Sequence, residues 1–250
     1  MNRLNVVTAI ASMLFLALPH GHAQSGKLSL GVTTGFASRY LYRGVERSKE
    51  NWQAAIEGAT EGWRGRIGAV RTFNSDAPAE IQSTLGYVWL IADQWTLETG
   101  GTHFWYVDAP VDGAPSHSFE GALRLAWTPR AHWKAAVEFG YDIRFRSRAV
   151  EFSLARQIEL KTAKTLLDVR AYTGSVAVTD VLPESTAAGL RDEFRYYGLG
   201  ARMTHRLTSQ WALQGEVTLA STAGQTREQS PLSAGSGSRG WFLVGTRFGF

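Results

Sequence analysis

LSLGVTTGFASRYLY, residues 28–42, alternates with a period of two. Its even positions read Leu28, Leu30, Val32, Thr34, Phe36, Ser38, Tyr40 and Tyr42. The odd positions read Ser29, Gly31, Thr33, Gly35, Ala37, Arg39 and Leu41. Successive side chains of a β-strand point to opposite faces, so the segment reads as a strand with one apolar face and one small or polar face.

Working outward, the same pattern recurs at 52–60, 63–73, 81–89, 95–107, 119–127, 133–145, 150–158, 165–173, 197–203, 211–219 and 242–250, giving twelve predicted strands. Their connections alternate in length. Residues 61–62, 90–94, 128–132, 159–164 and 206–210 are short links. Between them fall longer ones at 43–51, 74–79, 108–117, 175–190 and 220–240, with only 146–148 breaking the set. Short periplasmic turns alternating with longer extracellular loops is the hairpin plan of a transmembrane antiparallel up-and-down β-barrel. Trp63, Trp95, Trp133 and Trp211 each open the strand after a short turn. Amphipathic rings at one level suit an aromatic girdle at the membrane–water interface.

The chain ends agree with this. Arg3, the apolar run 6–18 and the small residues Gly21 and Ala23 read as a secretory signal cleaved after Ala23. The run is too short to span a bilayer as a helix. Residues 24–250 then form one barrel domain. The 26 Gly, 9 Trp, 8 Tyr and 12 Phe set against 7 Pro suit many strands and interfacial rings. There is no cysteine, so an exported chain of this length relies on its core or its membrane rather than on disulfides. A net charge of only +4 gives no reason to expect a nucleic-acid partner.

Two segments resemble known families. Thr246, Arg247, Phe248, Gly249 and Phe250 look like the C-terminal strand signal of outer-membrane barrels, with Phe248 and Phe250 as its aromatics. The resemblance implies recognition by the barrel assembly machinery of a Gram-negative outer membrane. Ser38, Arg39, Tyr40, Leu41, Tyr42, Arg43, Gly44 and Val45 resemble the opening motif of the TorF-like porin family. That family follows the motif with a hairpin carrying a Gly-rich turn, which Glu61, Gly62 and Trp63 supply here. It also enters its second strand on a Pro-Ala pair, where this chain has Asn51, Trp52 and Gln53. The resemblance covers about the first fifty mature residues and implies a porin-like barrel.

If the apolar face meets lipid, the other face lines the lumen. This register turns Arg39, Glu57, Arg64, Arg66, Glu98, Glu120, Arg124, Glu138, Arg144, Arg170, Arg202, Glu216 and Arg247 inward as candidate pore-lining residues. Lys134, Arg146, Glu80, Asp142, Glu151 and Asp168 join them, which leaves the two signs close to balance. Pairing through the tight turn at 61–62 sets Glu57 opposite Arg66, and pairing through 128–132 sets Arg124 diagonal to Glu138. Such a lumen suits a narrow channel for small polar solutes. The alternative is a closed barrel whose charges neutralise one another. Arg39, Arg43, Arg144, Arg146 and Arg148 gather toward the outer end, which points to an anion-favouring mouth.

Enzymatic and receptor readings have less to rest on. A lipid hydrolase of this type needs an outward Ser and His. His103 faces outward with Ser83 one diagonal step away, but the outward neighbours Phe119, Gly121 and Leu123 offer no group to orient the ring. His117 falls in a loop and His132 in a turn. No nucleophile elbow, phosphate loop or His spacing of a zinc site occurs, so no catalytic residue, cofactor or metal is expected. An adhesin or receptor working through loops 175–190 and 220–240 has only flexible composition behind it.

Overall fold

The computed structural model describes residues 28–42, 45–48, 50–73, 79–107, 116–160, 164–178, 192–225 and 237–249. The signal segment, Arg43 and Phe250 lie outside the described residues. The chain starts with β1 (Ser29–Ala37), then forms a small ribbon, β2 (Tyr40–Tyr42) with β3 (Val45–Ser48). Next come β4 (Asn51–Thr60), β5 (Trp63–Thr72), β6 (Ala79–Ala92), β7 (Trp95–Val107), β8 (His117–Arg130) and β9 (Trp133–Asp142). The remaining strands are β10 (Ser147–Glu159), β11 (Thr165–Val178), β12 (Asp192–Arg206), β13 (Trp211–Gln225) and β14 (Gly237–Gly249). Apart from the ribbon, each strand pairs with its neighbour in sequence, and β1 closes the circle against both β4 and β14. The result is a closed antiparallel barrel of twelve strands, which leaves no wall strand with a free edge.

Parity decides the faces. Ile56, Ile67, Leu85, Leu199, Val217, Leu219 and Val244 project outward and are 57–62% exposed. Apolar surface wrapped right round a barrel far exceeds the patches that soluble proteins carry, so this belt faces lipid. Trp63, Trp95, Trp133 and Trp211 open β5, β7, β9 and β13 at one end of the barrel. Neighbouring rings extend this row: Trp63 meets Tyr87 edge-on at 5.0 Å, Trp95 stacks on Trp127 at 5.8 Å, and Trp211 meets Phe248 at 4.7 Å.

The turn at residues 61–62 is tight because both residues take positive φ, Glu61 at 45° and Gly62 at 88°. That is the signature of the primed hairpin turns whose twist matches the strands. At Gly62 a Cβ would stand 2.9 Å from the Val88 carbonyl oxygen.

Three expectations are corrected. The first strand does not run from 28 to 42: the Ser38 hydroxyl accepts the Phe242 N–H at 3.0 Å and ends the ladder with β14, so residues 40–42 leave the wall to pair with β3. Arg39 therefore sits beyond the end of β1, at the rim. The strand predicted to reach 145 stops at Asp142, whose Oδ1 accepts the N–H groups of Arg144 (2.9 Å) and Phe145 (3.0 Å). Arg144 and Arg146 accordingly lie in the turn at residues 143–146. His117 is not in a loop but is the first residue of β8.

Candidate functional site: the lumen wall

The inward residues fall into two tiers. The tier nearer the short turns is charged. Glu57 on β4 lies 3.5 Å from Arg66 on β5 and 3.7 Å from Arg247 on β14. Arg247 reaches Glu57 across β1, where Gly31 leaves the wall bare: a Cβ there would stand 3.7 Å from the guanidinium. Arg64 crosses β6 over its register partner Gly86 to reach Glu98 on β7 at 3.7 Å. Glu98 also lies 3.8 Å from Arg124 on β8, and Arg124 lies 3.9 Å from Glu138 on β9.

On the far wall Arg170 pairs with Glu151, whose other oxygen accepts the Tyr196 hydroxyl at 2.9 Å. Arg202 holds Glu216 through two nitrogens, Nε at 2.7 Å and Nη2 at 2.5 Å. Most of these charges thus find an opposite charge on a nearby strand, although Glu138 of β9 stands directly opposite Glu151 of β10. Several stay partly open to the lumen, with Glu138 34%, Arg170 28%, and Arg64 and Arg247 22% exposed at the side chain.

The tier nearer the long loops is different. Phe194 and Tyr196 of β12 pack with Ala149, Val176 and Val178, flanked by Phe145 and Tyr172. Ala220 and Trp241 form a second apolar group with Leu243. Polar residues here bond to one another: Gln82 to Glu80, Gln53 to Asn51 at 2.8 Å, and Ser118 to Asp142 at 2.5 Å. Glu120 belongs to this tier and is buried. Outside the same level stand the exposed Arg71, Arg148, Glu193 and Arg195. On β10–β12 the polarity of the wall is therefore inverted above the lipid belt, apolar within and charged without, as in a water-soluble barrel, whereas on β4, β6, β8 and β9 the inner face stays polar at this level.

The charged tier brings together Glu57, Arg64, Arg66, Glu98, Arg124, Glu138, Arg170, Arg202, Glu216 and Arg247 on one inner surface. Arg39 and Arg144 stand at the outer rim, apart from it. Sequence reasoning passes over the aromatic tier. Phe194 and Tyr196 share the inward parity of Gly198 and Arg202, but their outward neighbours Glu193 and Arg195 are charged, so hydropathy alternation runs backwards there.

On the outer face, Ser83 is directly opposite His103 in register. His103 turns to another partner: its Nε2 lies 3.1 Å from His117 Nδ1.

No protein-family model matches the chain, and no curated protein matches it in sequence. Solved structures resemble it in fold. The NanC porin aligns with a TM-score of 0.53 and 10% identity over 88% of this chain and 98% of its own. The KdgM porin in complex with disordered oligogalacturonate aligns at 0.54 and 9% identity over 89% and 99%. LpxR from Salmonella typhimurium aligns at 0.52 and 9% identity over 88% and 99%. At such identities the likeness is one of fold: this is the architecture of outer-membrane barrels.

Proposed function

We propose that the chain is a narrow outer-membrane channel for passive diffusion of small polar solutes, with an outer mouth that favours anions. The observation that carries this reading is the charged inner tier. A wall intended only as packing gains little from ten or more ionised groups, because burying a charge costs more than burying an apolar side chain of similar size. Charges of both signs that remain partly exposed instead suit a water-filled vestibule, where a passing solute meets donors and acceptors of both signs. The NanC and KdgM porins share the fold, which supports a channel without fixing its solute.

The mouth preference rests on Arg39, Arg144 and Arg146 at the outer rim, while the inward acidic residues Glu80, Glu120 and Asp142 at that level are buried. A cationic rim raises the local concentration of anions. Reversal potentials of single channels in a salt gradient test this: anion preference is expected, and cation preference would overturn it.

A second reading has its own observation. The apolar side of the outer tier, with Tyr196 at 0% and Phe194 at 1% exposure, is the packing of a closed barrel. In the channel reading this tier is the constriction. In the closed reading it is a plug.

Assembly through the outer-membrane machinery fits Phe248, which faces outward on the last strand against Trp211. Truncating the chain before Phe248 is expected to abolish insertion while leaving export intact.

A further inference from the structure

We propose that His103 and His117 form a two-imidazole chelate for a borderline divalent transition metal ion, such as Zn²⁺ or Ni²⁺, on the outer face of the barrel at its external rim. The proposal stands apart from the channel reading and uses none of its residues.

His103 on β7 and His117 on β8 are diagonal outward neighbours on adjacent antiparallel strands, since His117 is opposite Trp105 and His103 opposite Phe119. His103 Nε2 and His117 Nδ1 stand 3.1 Å apart. The ring planes are 14° apart with centroids at 5.2 Å. Rings stacked face to face would bring their centroids closer than that. Near-coplanar rings meeting nitrogen to nitrogen are arranged edge to edge, each nitrogen's in-plane lone-pair direction turned to the other.

That arrangement has two chemical outcomes. One nitrogen can carry a proton and donate it to the other. Alternatively both can be bare and share a cation. Two imidazoles on one tetrahedral Zn²⁺, at about 2.0–2.1 Å each, place their nitrogens about 3.3 Å apart. Ligands at a right angle, as in tetragonal Ni²⁺ or Cu²⁺ sites, come to about 2.9 Å at the same bond length. The observed 3.1 Å lies between the two, so a small ring rotation converts the hydrogen bond into a chelate.

The surroundings admit a dication. The outward residues on the flanking strands are Ile81 and Ser83 on β6, Trp105, Phe119 and, on β9, Tyr141, none of them cationic. The Trp105 ring lies within 9° of parallel to His117 at 6.0 Å, which limits the swing of that imidazole. Both histidines are fixed to wall strands, so little freedom is lost when an ion binds. The pair is exposed toward the outer ends of β7 and β8, where water can complete the coordination shell. Such a site holds an exchangeable ion and cross-links β7 to β8 at their outer ends.

The test is calorimetric titration of the folded, tag-free barrel in detergent with Zn²⁺ and, separately, Ni²⁺. The expected result is saturable binding of one ion per barrel. His103→Ala and His117→Ala should each weaken it by on the order of 100-fold, because loss of a direct ligand costs at least as much as loss of an outer-shell partner. Retained heat-modifiable gel mobility in each variant shows that the barrel is intact. Absence of saturable binding up to millimolar ion overturns the proposal, as does binding that survives in the double variant. Binding that depends on only one of the two histidines overturns it as well.

Discussion

At the scale of the residue, the wall is closed by side chains that use the bare backbone of a neighbour. Tyr196 lies over Gly174 and Tyr172 over Gly198, in reciprocal register pairs of β11 and β12. A Cβ on Gly198 would stand 2.5 Å from Cζ of Tyr172 and 2.8 Å from the Leu219 carbonyl oxygen. Gly198→Ala is therefore expected to destabilise the barrel by about 1–3 kcal/mol, read as a lower denaturant midpoint for loss of heat-modifiable mobility. Gly65 is the contrast. It faces lipid, and a Cβ there would meet nothing within 4 Å, so Gly65→Ala should change the midpoint little.

The charged residues give a second expectation. Glu98 serves both Arg64 and Arg124. Glu98→Gln removes one negative charge beside Arg64 and leaves Arg124 to Glu138, so channel selectivity should move toward anions. Folding stability should fall, because removing one member of a mostly buried ion pair leaves the other less compensated.

These contacts are only partly legible in the sequence. Glu57 opposite Arg66 follows from the tight turn alone, and the register agrees. Link length sets Arg124 diagonal to Glu138, yet the two stand directly opposite, because a bulge between Trp127 and Arg130 shifts the ladder by one residue. A second irregularity, between Leu90 and Ala92, likewise brings Ser83 directly opposite His103. Bulges of this kind leave no mark in hydropathy alternation.

At the scale of the element, each strand crosses two environments. Within the belt it is apolar outside and polar inside, and that half is what alternation reveals. Above the belt the order reverses on β10–β12, and β12 shows it best: it begins at Asp192, with Phe194 and Tyr196 inward and Glu193 and Arg195 outward. A reading that assigns the apolar parity to lipid must start this strand too late, at 197. His117 at the start of β8, and with it the partner of His103, escapes notice because it is a polar residue at an outward position, where alternation expects an apolar one.

The aromatic tier also yields a test. Phe194→Ala removes a ring that is 1% exposed and should cost about 3–5 kcal/mol of stability. If the tier is the constriction, single-channel conductance of the folded variant rises above that of the parent. Unchanged conductance in folded Phe194→Ala and Tyr196→Ala barrels would place the constriction elsewhere.

At the scale of the whole molecule, twelve strands set the interior between two regimes. Eight-stranded barrels are filled by side chains, whereas barrels of sixteen or more enclose an aqueous channel. The twelve-strand count and the hairpin order are readable from alternation and link length, since both depend on local pattern. Whether the lumen conducts is not, because that depends on side chains meeting across the barrel. The lipid belt gives its own prediction: Val217→Arg, in the middle of β13 and 57% exposed, should cost about 2–4 kcal/mol in bilayers, measured by folding titration into lipid vesicles. The channel itself is tested most directly by liposome swelling with the purified, folded barrel and a series of small sugars and organic anions. A narrow charged vestibule predicts measurable uptake that falls steeply with solute size. No uptake of even the smallest solute, with heat-modifiable mobility retained, would contradict it.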